Sequence, residues 1–195
     1  MTGIAHFVNY YFFPSFRPIM DFTDQMMITS DSDLIELLKE CPKCFKTSLN
    51  GKLIMFHEDI QSLNVKHLRH QKLCIIINSE KGDEKLGHWV ALLISKLPSN
   101  LVTYMDSLNM LKNTKPAVHS NIIDFCKLNN LNVIDRSFKW QRLNQNSCGY
   151  YSLYILAKFV HLSHNAFEHF LDALKRNPNS RNEYHIFKFV VKHFS

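Results

Sequence analysis

Two apolar runs joined by a short polar link constrain this chain's architecture more than any other stretch. Residues 87–94 (Gly-His-Trp-Val-Ala-Leu-Leu-Ile) and 101–105 (Leu-Val-Thr-Tyr-Met) have the length and the β-branched and aromatic content of strands. The connection over residues 96–100, which contains Pro98-Ser99-Asn100, is too short for a crossover, so the two strands are expected to form an antiparallel hairpin. Residues 73–78 (Leu-Cys-Ile-Ile-Ile-Asn), closed by the polar turn 79–85, read as a further buried strand with Cys74 as a packed core thiol. In antiparallel neighbours the start of one strand lies beside the end of the next. His88, opening its strand, and Asp106, just past the following one, therefore fall at one edge, within reach of a side-chain hydrogen bond.

Helical signals surround these strands. Ser30-Asp31-Ser32-Asp33 supplies cap residues and early acids ahead of an apolar-faced helix that ends near Cys41-Pro42. Residues 51–70 read as loop and short helix, with 58–68 helical and Gly51 a turn point. Residues 112–129 are expected to be helical with Cys126 among the core positions, 132–138 to be a strand, and 148–161, 166–175 and 184–194 to be helices. With 195 residues, 46% hydrophobic content and 15 Phe, the chain can bury one sizeable core. The organisation this implies is an aromatic N-terminal extension over residues 1–29 followed by one domain over 30–195. Its fold class is α+β, with a small central mixed or antiparallel sheet flanked by helices.

Five cysteines, an odd number with three in apolar elements, argue against a disulfide framework and for a reducing, intracellular setting. Cys41-Pro42-Lys43-Cys44 has the spacing of half a zinc site, and His67 and His70 could supply the other half. That histidine pair is closer together than in most zinc fingers, so zinc at Cys41 and Cys44 is not expected and no cofactor is required. The net charge of +6 with a pI near 9.0 leaves nucleic acid open as a partner. The basic residues are dispersed, however, and Lys66, His67, Arg69, His70 and Lys72 form the densest cluster. No apolar run is long enough to cross a bilayer, so no membrane partner is expected.

The chemistry concentrates in residues 140–151, where the polar loop Gln141-Arg142-Leu143-Asn144-Gln145-Asn146-Ser147 runs into Cys148-Gly149 and the apolar segment 153–157. A loop delivering a cysteine to the first turn of a buried helix places it over free backbone N–H groups and the positive dipole end, which favour a thiolate. Thiol proteolysis further needs an imidazole, a group to orient it and donors for the tetrahedral oxyanion. Cys148 is the candidate nucleophile, His88 the base and acid, and Asp106 the orienting carboxylate. Gln141 and the Cys148 N–H are the oxyanion donors. Trp89 and Gly149, beside base and nucleophile, are the candidate substrate-binding residues. Singly, a His before a Trp is usually structural, an Asp after a strand a turn residue, and a Gln in a polar loop solvated. Their order along the chain and their strand placement set them apart from chance.

Gly-His-Trp at 87–89, Tyr-Met-Asp-Ser-Leu at 104–108 and the stretch from Gln141 to Cys148-Gly149 resemble the clan of cysteine proteases that joins the adenovirus endopeptidase to the ubiquitin-like-protein-specific proteases. The resemblance covers about residues 30–161. In that clan the triad runs His, acid, Cys, with the Gln shortly before the Cys. Gln141 stands seven positions before Cys148 with Asn144 three after it, which is similar to the adenovirus enzyme; the deconjugating proteases more often place the Gln six before. Asp106-Ser107 looks more like the deconjugating branch. The resemblance implies a papain-related, adenain-like fold and an endopeptidase, expected to be a monomer, that matures capsid or core precursors of a DNA virus or virus-like mobile element. The host nucleus and the virion are its implied locations, and stimulation by DNA is left open. Cys126 lies off the position that would bind a peptide activator through a disulfide. The alternatives are a protease removing ubiquitin-like modifiers and an inactive binding or scaffold module of the same fold.

Overall fold

In a computed structural model of the chain, which describes residues 31–66, 71–80, 87–96, 100–141, 147–176 and 181–194, the expected hairpin lies at the centre of a five-stranded sheet ordered β1-β2-β3-β4-β5. β2 (Lys72–Asn78), β3 (Trp89–Ser95) and β4 (Leu101–Met105) run antiparallel, with Cys74 opposite Leu93 and Leu93 opposite Thr103. β1 (Ile54–Phe56) adds parallel to β2 at one edge and β5 (Asn132–Asp135) parallel to β4 at the other, so the sheet is mixed.

Side chains alternate across a strand, and here both faces are covered. Cys74, Ile76, Trp89, Ala91, Leu93 and Met105 pack into one core with α1 (Asp31–Lys39), α2 (Pro42–Thr47), α5 (Cys148–His161), α6 (His164–Arg176) and α7 (Arg181–Phe194). Leu73, Ile75, Ile77, Val90, Leu92, Ile94 and Val102 face the other core, with α3 (Leu111–Thr114) and α4 (Pro116–Leu128). Burial on both faces is why these strands read as unbroken apolar runs. Burial also pushes the Cys74 thiol up, and that of Cys126 to about 12, as fits packed core thiols.

Several elements differ from the sequence reading. Pro42, read as a helix stop, also opens α2, because a proline at the first helical position gives up an N–H that would be orphaned anyway. The chain then turns through Leu49, Asn50 and Gly51, all at positive φ, into β1, which three residues are too few to announce. The helix expected over 58–68 is only a 3-10 turn at Asp59–Ser62. The helix expected over 112–129 is split in two at Pro116, and the strand over 132–138 stops at Asp135. Cys41 and Cys44 are joined in a disulfide, against the expectation from cysteine count. The extension over 1–29 and the histidines at 67 and 70 lie outside the described residues. Among the described residues no helix is long and apolar enough to cross a membrane.

Candidate active site

His88 and Asp106 meet where the hairpin geometry puts them. His88 Nε2 lies 2.6 Å from Asp106 Oδ1, and both side chains are buried. The carboxylate has more partners than its histidine. Oδ1 also accepts the N–H groups of Leu108 and Asn109 at 3.0 and 3.1 Å, and Oδ2 those of Met110 and Leu111 at 2.8 and 2.9 Å. Burial alone would raise the Asp106 pKa, but the hydrogen bond and charge of His88, with the Leu111 and Met110 N–H groups, hold it below the usual carboxylate range. For His88, burial pulls the pKa down, while Asp106 and Cys148 outweigh it and bring it to about 9. These partners favour the imidazolium over the neutral ring.

Cys148 is the first residue of α5, as the loop-to-helix switch predicts. The preceding Ser147 makes no side-chain cap hydrogen bond, so the cap does not occupy the helix's first N–H groups. The thiol sits on the backbone either side of His88: the Trp89 N–H points at Sγ from 3.4 Å, and Sγ lies 3.9 Å from the Gly87 carbonyl oxygen. His88 Nδ1, the nitrogen not used by Asp106, is buried with no hydrogen-bond partner among the described residues. The thiol is thus docked against the backbone that carries His88, close enough to the ring to help raise its pKa. Trp89's indole is buried in the core, and its backbone N–H meets the thiol; Gly149 is buried in the first turn of α5.

Gln141 is anchored beside Asp106. Its Oε1 accepts from Ser107 Oγ at 2.6 Å, and the Ser107 carbonyl receives the N–H groups of Trp140 and Gln141 at 3.1 Å. Trp140 in turn lies edge-on to Tyr151, one turn into α5, with ring centroids 4.6 Å apart, and the Tyr151 hydroxyl donates to the Trp140 carbonyl at 3.2 Å. The loop's anchor and the helix that carries Cys148 are therefore fastened together. Residues 142–146, with Asn144, lie outside the described residues.

Sequence reasoning passed over three contributors. Ser107 follows Asp106 directly in the Tyr-Met-Asp-Ser-Leu motif, and the sequence alone assigns it no role. Ser79 fixes the His88 backbone, its hydroxyl accepting the His88 N–H at 3.0 Å and its N–H bonding the His88 carbonyl at 3.0 Å. Gly87 packs so tightly on Asn78 that a Cβ there would lie 1.5 Å from Asn78 Oδ1. Ser107 and Gly87 left a signal, their places directly after the acid and directly before the base; Ser79 left none.

No protein-family model matches the chain, and no curated protein does either. Among solved structures, a crystal structure of the ASFV pS273R protease is similar over 64% of this chain and 44% of that chain, with 21% identity and a TM-score of 0.38. The chain thus spans less than half the length of that protein.

Proposed function

We propose that the chain is a cysteine endopeptidase acting through Cys148, His88, Asp106 and Gln141. The observation that carries this reading is the seating of Cys148 Sγ against the Gly87 and Trp89 backbone while Asp106 holds the far nitrogen of the intervening His88. In the reaction the Cys148 thiolate attacks the scissile carbonyl carbon. Negative charge develops on the carbonyl oxygen, where Gln141 Nε2–H and the Cys148 N–H donate to it. The His88 imidazolium gives its proton to the departing amine, leaving an acyl-thioester and a neutral imidazole. His88 then takes a proton from water as it attacks the thioester, and the acid product and thiolate are released. Asp106 fixes the tautomer and stabilises the imidazolium throughout. Trp89 and Gly149 line the substrate's approach through their backbone.

For substrates we infer viral capsid or core precursors. The seven-residue spacing from Gln141 to Cys148 supports this over removal of a ubiquitin-like modifier. The deciding experiment is hydrolysis of a peptide library by wild type, Cys148→Ala and His88→Ala proteins, with and without DNA. Both variants are expected to lose cleavage while keeping the native circular dichroism; equal activity of wild type and Cys148→Ala would end the protease reading. Rapid labelling of Cys148 by a Gly-Gly-ended probe would move the substrate class to ubiquitin-like conjugates.

A further inference from the structure

Away from the candidate active site, Cys41, Cys44 and His161 bring two sulfurs and one imidazole nitrogen within 4.8 Å of one another. The cysteines come from the start of α2 and the histidine from the last residue of α5, so the cluster is made by the packing of two helices distant in sequence. Cys44 is fully buried and Cys41 nearly so, while His161 is exposed. The histidines weighed from sequence as partners of this Cys-x-x-Cys were those at 67 and 70; the packing supplies a different one.

We propose that Cys41, Cys44 and His161 bind a zinc ion when the two cysteines are reduced. A Cys-x-x-Cys turn offers two thiolates to one tetrahedral ion, and an imidazole from another element is the usual complement. With metal–sulfur and metal–nitrogen bonds of about 2.3 and 2.0 Å, donors around zinc stand roughly 3.3–3.8 Å apart, and the three donors here all lie within 4.8 Å of one another. Two sulfurs and one nitrogen suit zinc better than calcium, magnesium or manganese.

The disulfide and the metal are alternative states of one pair. Reduction by a thiol or phosphine transfers two electrons to the Cys41–Cys44 bond, oxidises the reductant and yields two thiols; zinc then displaces one proton from each sulfur. The disulfide spans a sequence separation of only three, so closing it removes little entropy from the unfolded chain and stabilises the fold little. A chain that works through a free Cys148 thiol operates under reductant, where this pair is reduced too. That last step rests on the protease reading; the donor geometry does not. Bound there, zinc would clamp the far end of the helix that carries Cys148 at its start.

The test is metal analysis of the full chain, reduced with a phosphine, loaded with zinc and dialysed against metal-free buffer under nitrogen. Wild type and Cys148→Ala are expected to retain about one zinc per chain, and His161→Ala, altered only at an exposed side chain, to retain less than a tenth of that. Cobalt in place of zinc should give a thiolate charge-transfer band and tetrahedral d–d bands that His161→Ala loses. A metal-free wild type in which alkylation and mass spectrometry find Cys41 and Cys44 as thiols would overturn the proposal. So would equal zinc in wild type and His161→Ala. Zinc retention reads no proteolysis, so failure of the zinc site and failure of the protease reading are separate results, and Cys148→Ala shows that the retained zinc is not held by Cys148.

Discussion

Ser107 Oγ donates to Gln141 Oε1 at 2.6 Å, with both side chains buried. An amide has one accepting end and one donating end, and occupying the acceptor decides which end can serve an anion. Ser107 thereby gives the Gln141 amide a direction, and its own carbonyl fixes the backbone on which that amide sits.

Ser107→Ala is therefore expected to lower kcat by about tenfold with little change in KM, because the donor is lost from the transition state and not from substrate binding. Gln141→Ala should cost on the order of a hundredfold. Steady-state kinetics of both single variants and the double variant check this. If Ser107 acts through Gln141, the double variant is no slower than Gln141→Ala, and Ser107→Thr recovers most of the loss. A further tenfold loss in the double variant would place the serine's effect elsewhere.

The pH dependence follows from the folded-state pKa of His88. Because it is raised from 6.5 to about 9, the imidazolium stabilises the fold fully below pH 6.5, and this contribution is lost as pH rises through about 9. Asp106, with a lowered pKa, contributes above the ordinary carboxylate range and is lost as pH falls through its folded value. The profile of kcat/KM for wild type is expected to hold through neutrality and fall on an alkaline limb near pH 9 as the proton for the leaving amine is lost. An alkaline limb near the ordinary histidine value would contradict the coupling of His88 to Asp106.

Asp106→Asn should move that limb toward acid by about one unit or more, since burial then acts on His88 against weaker opposition. It should also lower stability. The carboxylate accepts four backbone N–H groups besides His88, and an amide, with one accepting oxygen, leaves some of those donors unpaired. A loss of about 2 kcal/mol, or roughly 4–8 °C in Tm, is expected by calorimetry. Activity should still exceed that of His88→Ala, because the asparagine variant keeps the imidazole that carries the proton.

This double duty of Asp106 marks the limit of what the sequence discloses. The hairpin could be read because two short apolar runs with a five-residue link have one way to pair, and His88 and Asp106 followed from it. Cys148 at the head of a helix was legible because the polar loop stops where the apolar segment begins. What could not be read depends on tertiary approach. The turn after β4 folds its N–H groups back onto Asp106, and Ser107 meets a glutamine 34 positions later. His161 reaches a cysteine pair from the far end of another helix. β1 escaped because three residues laid parallel on a neighbour carry no periodicity of their own.

Gly87→Ala tests whether the His88 backbone is held by close packing. An added Cβ would fall 1.5 Å from Asn78 Oδ1 and 2.4 Å from its Cγ. The buried Asn78 amide is held in place by the Glu80 N–H at 3.0 Å and cannot simply turn aside. The chain must shift at residue 87, taking with it the carbonyl and the His88 ring that border the thiol. A fall in kcat/KM of roughly a hundredfold is expected, as for misplacement of a reacting group by about an ångström. The double variant Gly87→Ala, Asn78→Gly, which removes the obstructing side chain, should recover part of it.

Lys72 provides the test of the helix that carries Cys148. Although it belongs to the densest basic cluster of the sequence, its ammonium donates to the Phe159 and Leu162 carbonyls at 2.6 and 2.8 Å and lies 4.9 Å from the centre of the Phe159 ring. A cation at the C-terminal end of α5 satisfies carbonyls that the helix itself cannot and opposes the negative end of its dipole. Lys72→Met keeps most of the apolar stem and removes only the charge and the donors. It is expected to lower stability by about 1–3 kcal/mol, measured by urea unfolding, and to leave KM unchanged because the site is at the other end of the helix. Any affinity for DNA should change no more than for a single dispersed surface lysine, about one unit of the salt slope. Loss of DNA binding without loss of stability would show that the ammonium serves a nucleic-acid surface and not the helix.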